Sequence, residues 1–185
     1  MSKNSKILIL TITLAFCSMA YELLLANTLS IITSDYIFWH SMTIGVYLGG
    51  LGVGSFFQGK KENPYHKLFK VEIGLSLIGS LSVILLYSFA IVYLTSDYLS
   101  FASNNYVSAS YLQNNFLLKA LFFITSQIIT FAVGLLSGME VPLLMNIYKN
   151  ENDDNNFYPV IGINYIGTLV GTLVYALILL PKLDT

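Results

Sequence analysis

Apolar residues run in five long blocks, at roughly 7–33, 37–57, 68–95, 116–147 and 158–181, separated by brief polar connectors. Such blocks exceed the roughly 18 apolar residues that mark a bilayer-crossing helix, and they lack the alternating polar faces of a water-soluble fold. The pattern predicts an all-α fold, a polytopic membrane bundle of about five transmembrane helices forming one domain over residues 1–185. The connectors are chemically distinct. Ser34-Asp35 is a short polar turn, Gly59 to Pro64 a charged turn, Lys149 to Asn156 an acidic, Asn-rich link, and Ser96 to Asn115 the longest connection, rich in Ser, Asn and Tyr.

Composition sharpens this picture. Of 185 residues, 55% are hydrophobic and 10% charged, against about 25% charged in an ordinary soluble domain. The partner this implies is the lipid bilayer. A net charge of -1 leaves no footprint for nucleic acid. Lys3 and Lys6 precede an apolar run in the manner of a secretory signal, and Ser18-Met19-Ala20 offers small residues for cleavage, but apolar residues continue to Ile32, so an uncleaved span is expected. Phe16 before Cys17 is too bulky for a lipoprotein signal, and Cys17 reads as a packing residue.

All nine basic residues are lysines. Lys3, Lys6, Lys60, Lys61, Lys67 and Lys149 mark the amino terminus and the second and fourth connections as cytoplasmic, which predicts a plasma-membrane protein with its amino terminus inside. Tyr36, Trp39, Tyr93, Tyr98 and Tyr158 suit the interfacial belt. Five spans would leave the carboxyl terminus outside. Pro181 to Thr185 closely follows an apolar run, and this predicts a cut before a further helix and a soluble domain.

Twelve of the thirteen glycines fall inside the predicted spans. Gly45 with Gly49, Gly50 with Gly54, Gly134 with Gly138, and Gly167 with Gly171 have small-xxx-small spacing, which puts each pair on one helix face where backbones can approach closely. The run Leu48 to Ser55 resembles a phosphate-cradling loop only superficially, because no strand precedes it and it sits inside an apolar span.

Glu22 falls about fifteen residues into the first span, near mid-bilayer. A charged carboxylate there costs at least about 2.5 kcal/mol, so the group is expected to be protonated, hydrogen-bonded inside the bundle or facing a wet cavity. Glu72, Glu140 and Asn164 are placed nearer the cytoplasmic ends of their spans. Three acids with few bases favour a cation, whether an amine, a proton or a metal ion, with Tyr21 and Tyr165 able to offer ring faces to an ammonium. The competing reading makes each Glu a neutral interhelical hydrogen-bonder. Pro142 removes a backbone donor two residues after Glu140, either exposing polar backbone at a site or merely kinking the helix. His40 and His66 are placed on opposite sides of the membrane, which argues against a metal pair. No catalytic residue, metal centre or cofactor site is expected in this chain.

Tyr21-Glu22-Leu23-Leu24, Gly45 through Ser55, Val71-Glu72, Gly138 through Met145 and Asn164 through Gly171 together resemble the amino-terminal membrane domain of membrane-embedded spermidine synthases, the polyamine aminopropyltransferases. The sequence departs from the family pattern at Asn164, where an acid is usual, and at Asn146, where a base is usual. The resemblance implies a following cytoplasmic Rossmann-like domain, fused or separate, that transfers an aminopropyl group from decarboxylated S-adenosylmethionine to putrescine. It implies for this chain a membrane anchor that binds or passes polyamines through Glu22, Glu72 and Glu140. The alternatives are an independent small cation, proton or polyamine transporter subunit, and a structural scaffold that recruits membrane helices through its glycine faces.

Overall fold

A computed structural model describes residues 3–33, 35–57, 63–102, 109–151 and 157–183. The described residues form a bundle of five long helices: α1 (Lys3–Thr33), α2 (Tyr36–Phe56), α3 (Pro64–Ala102), α4 (Ala109–Glu151) and α5 (Tyr158–Val174). A π-helical turn (Tyr175–Leu179) and a short α6 (Leu180–Leu183) continue the last helix. Local chemistry sets the starts. Asp35 caps α2 by accepting from the Phe38 N–H at 3.3 Å, Pro64 opens α3, and Pro159 occupies the first turn of α5, where a missing N–H costs nothing.

Four helices are long and apolar enough to cross a bilayer: Asn4–Thr33, Pro64–Ile91, Ala120–Glu151 and Tyr158–Lys182. The five long helices agree with the expected bundle of about five, and four of them meet this criterion. The exception is α2, whose 21 residues reach about 31 Å but whose five glycines, with His40 and Ser41, dilute its hydropathy. One correction concerns the connection expected over residues 96–115. Helix α3 runs on to Ala102 and α4 begins at Ala109, so both helices extend into that polar stretch. The predicted polar groups Ser34, Lys60, Lys61, Glu62 and residues 152–156 lie outside the described residues, as do the side chains of Tyr93, Tyr98 and Lys119.

Helix α4 is the hub. It packs lengthwise against α2 and α3, while α1 lies along α5 and α2 and touches α3 at few places. One apolar cluster joins Ile7 and Leu14 of α1, Leu68 and Val71 of α3, Leu143, Leu144 and Ile147 of α4 and Val160 of α5. A second joins Leu25 and Leu29, Tyr47, Leu86, Phe122 and Val133. The first cluster gathers the start of α1, α3 and α5 with the end of α4, so Lys6, Lys67, Lys70 and Lys149 share one end of the bundle. Tyr65 donates to Glu151 at 2.8 Å at that end, and Lys67 donates to the Phe57 carbonyl at 2.6 Å.

Glycine lets α2 and α4 meet backbone to backbone. A methyl on Gly50 would stand 2.7 Å from the Phe131 carbonyl oxygen, and one on Gly54, Gly134 or Gly138 would collide with the backbone of Leu135, Tyr47 or Leu51. Gly167 and Gly171 do the same for α5 against Ile12, Ala15 and Phe16 of α1. Gly45 and Gly49 depart from expectation, with nothing within 4 Å of a methyl at either position. Their face of α2 lies about a third of a turn or more from the buried stripe Thr43, Tyr47, Gly50 and Gly54, so their spacing serves no contact inside this bundle.

Buried hydroxyls in these helices are mostly satisfied internally. Thr11 donates to the Ile7 carbonyl at 2.9 Å, Ser82 to Gly79 at 2.6 Å, and Thr130 to Ser126 at 2.9 Å. This back-bonding within a helix lets polar residues lie in an apolar bundle without partners on neighbouring helices.

Candidate functional site

The three intramembrane acids belong to two levels. Glu140, 3% exposed on α4, and Glu72, half-buried on α3, lie within electrostatic reach of each other. Cys17 and Tyr21 of α1 are within reach of both. The Tyr21 ring packs against α3 at Gly79, where a methyl would stand 2.7 Å from its Cε1. Glu72 and Glu140 thus neighbour each other across α3 and α4, with Tyr21 packed on α3 about two turns away at Gly79, and Glu72 Oε1 is buried without a hydrogen-bond partner.

Glu22 sits on a different face of α1. It is 4% exposed and shares a stripe with Ser18, Leu25 and Leu29, turned toward α2. Tyr47, 1% exposed, is the link between the two levels: it lies within reach of the charges of both Glu22 and Glu140. Its hydroxyl donates to the Ser18 carbonyl at 3.1 Å and lies 2.9 Å from the Ser18 hydroxyl. On the other side of Glu22, the Tyr175 hydroxyl donates to the Leu23 carbonyl at 3.1 Å. The π turn beginning at Tyr175 widens the helix locally, and such widenings recur at functional sites. Two phenols from separate helices thereby fix the α1 backbone on either side of Glu22.

Two of the predicted residues stand apart. Tyr165 is 69% exposed on the outer face of α5 and offers its ring to the surroundings of the bundle rather than to the acids. Asn164 is half-buried on α5, and its backbone carbonyl accepts the Thr168 hydroxyl at 2.9 Å. Pro142 lies inside α4, which continues to Glu151. Among the described residues no three His, Cys, Asp or Glu side chains group as metal ligands. His40 stacks on Tyr36 with ring centroids 4.9 Å apart at the start of α2, and His66 lies in the first turn of α3 at the opposite end of the bundle.

Sequence reasoning missed Tyr47, Ser18, Thr43, Gln127 and Gly79. Tyr47 and Thr43 were findable, because Thr43, Tyr47, Gly50 and Gly54 recur with helical period and define one face. Gly79 carries no such signal, lacking a small residue four positions away at Leu75 or Val83.

Curated relatives carry one family name. A polyamine aminopropyltransferase of Leptospira interrogans serogroup Icterohaemorrhagiae serovar copenhageni is 27% identical over 169 residues, covering 90% of this chain but 29% of that protein. Polyamine aminopropyltransferase 1 of Streptomyces coelicolor is 30% identical over 171 residues, covering 90% and 27%. Polyamine aminopropyltransferase 2 of Ralstonia nicotianae is 26% identical over 188 residues, covering 99% and 32%. The chain therefore spans about three-tenths of the length of the relatives it matches, and the likeness is to a portion of those proteins. The family read from the residue motifs is the one these relatives carry. No family model matches the chain, and no solved structure matches it.

Proposed function

We propose that this chain is the membrane-embedded module of a polyamine aminopropyltransferase-like protein, anchoring it in the plasma membrane and binding or passing polyamines among its buried acids. The observation that carries the reading is the alignment of nine-tenths of the chain with less than a third of proteins named for polyamine chemistry, in a bundle where four helices are long and apolar enough to cross a bilayer. Aminopropyl transfer belongs, on this reading, to a fused or separate domain. The lysines gathered at one end of the bundle support an orientation with that end and the amino terminus in the cytoplasm.

Polyamines are linear polycations, and a bundle that holds two buried carboxyl groups and a half-buried third offers them opposite charge in a low-dielectric setting. The test is twofold. Membranes from cells expressing the full chain are washed with alkaline carbonate, and purified chain in liposomes is assayed for binding of radiolabelled spermidine. Retention in the pellet together with saturable binding, lost when Glu22, Glu72 and Glu140 are all changed to Gln, supports the proposal. Release by carbonate sinks the anchor, and binding indifferent to the triple change sinks the role of the acids.

A further inference from the structure

Between α1, α2 and α4 lies a set of buried polar atoms without hydrogen-bond partners: Glu22 Oε2, Thr43 Oγ1, His40 Nδ1 and both side-chain polar atoms of Gln127. Helix register brings them to one region. Ser18 of α1 meets Tyr47 of α2, and the two helices run antiparallel, so one turn further along each in the same direction stand Glu22 and Thr43. Helices α2 and α4 run parallel, with Tyr47 against Gly134 and Leu51 against Gly138. The same register sets Thr43 level with Thr130 and His40 level with Gln127.

Two contacts bound the region along the bundle. On one side lie the Tyr47–Ser18 hydrogen bonds. On the other, Trp39 packs on Phe122 and Phe123, with ring centroids 5.7 Å and 5.4 Å away. Thr43 is completely buried, yet its hydroxyl does not bond back to its own helix as Thr11 and Thr130 do. Native bundles seldom leave such atoms unpaired, because each buried polar group without a partner is costly. Several together, none bonded to another, leave a set of acceptors and donors available to a ligand.

The donor and acceptor chemistry selects that occupant. Glu22, Thr43 and Gln127 supply three oxygen acceptors, one of them from a carboxylic group, and no lysine side chain described in the structure belongs to this level. An ammonium carries three N–H donors and one positive charge. We propose that Glu22, Thr43 and Gln127, with His40 beside them, bind a primary ammonium group, the terminal amine of a linear amine. The proposal deepens the polyamine reading and rests on it, and it assigns amine capture to the Glu22 level rather than to the Glu72–Glu140 pair.

The test uses the full chain in phosphatidylcholine nanodiscs, with butylamine, putrescine and trimethylbutylammonium as probes by calorimetry. Butylamine and putrescine should bind, and Glu22→Gln should weaken both by about tenfold or more, the worth of a charge-assisted hydrogen bond. Thr43→Val is the second variant: it removes an unpartnered buried hydroxyl, so it should raise the melting temperature without amine while weakening butylamine severalfold. Trimethylbutylammonium, which has the charge but no N–H, should bind far more weakly. Equal affinity for it overturns the proposal. Amine binding that survives Glu22→Gln and Thr43→Val but is lost in Glu72→Gln with Glu140→Gln overturns this site and leaves the polyamine reading standing. Absence of any amine binding overturns both.

Discussion

A methyl group on Gly54 of α2 would stand 3.1 Å from the Cα of Gly138 on α4, besides meeting the Leu135 carbonyl head-on. Neither backbone can yield without separating the two helices along their length. Gly54→Ala and Gly138→Ala should therefore each cost about 1–3 kcal/mol through overpacking, while Gly45→Ala and Gly49→Ala, which face open space, should be neutral or slightly stabilising. Thermal melts in a single detergent would show the contrast. Equal losses at Gly45 and Gly54 would refute the α2–α4 contact.

The Tyr47–Ser18 pair should behave as a coupled unit. Tyr47→Phe removes a buried hydroxyl bonded to both the carbonyl and the side chain of Ser18, at a cost of about 1 kcal/mol. Ser18→Ala should cost less, because the carbonyl remains as acceptor. The double variant should fall short of the sum of the two, and strict additivity in a double-mutant cycle would argue that the residues do not touch.

Gly79→Ala should push the Tyr21 ring off α3, since the methyl would stand 2.7 Å from Cε1. A loss of about 1–2 kcal/mol is expected, relieved in good part by shortening the ring to Leu in the Gly79→Ala, Tyr21→Leu double variant. Failure of that rescue would mean that the ring is not what limits the substitution. Tyr165→Ala, by contrast, should leave both stability in detergent and amine binding unchanged, because that ring is 69% exposed on the outer face of α5.

Orientation can be read with a membrane-impermeant maleimide in a Cys17→Ser background. His66→Cys and Lys149→Cys lie at the lysine-bearing end and should label only after cells are opened. Asp35→Cys, at the α1–α2 turn, should label in intact cells. The reverse pattern would invert the lysine-based topology.

Helix existence was legible because apolar blocks of this length admit little else, and the starts at Pro64, Asp35 and Pro159 follow from single residues. The ends of α3 and α4 were not. Ser96 to Asn115 reads as loop by composition, yet helices already committed by long apolar runs propagate through polar residues, whose propensity cost per residue is small. Glycine spacing marked the faces at Gly50 and Gly54, Gly134 and Gly138, and Gly167 and Gly171 that meet another backbone, but it could neither assign the partner helix nor exclude Gly45 and Gly49, since spacing fixes a face and not which neighbour it meets. For the acids, depth in a span was readable and direction was not. Glu22 and Tyr21 are adjacent in sequence, yet the rotation of about 100° between them sends one toward α2 and the other onto α3.

The π turn at Tyr175–Leu179 accommodates an additional residue within an otherwise regular helix. Deleting Ala176 would let the segment close into ordinary α-helix with Pro181 and Lys182 still on roughly the same side of the axis, because the wide turn had already taken up the residue removed. The wide turn thus acts as a joint that absorbs a change of one residue in length without turning Pro181 and Lys182 away from the side they face.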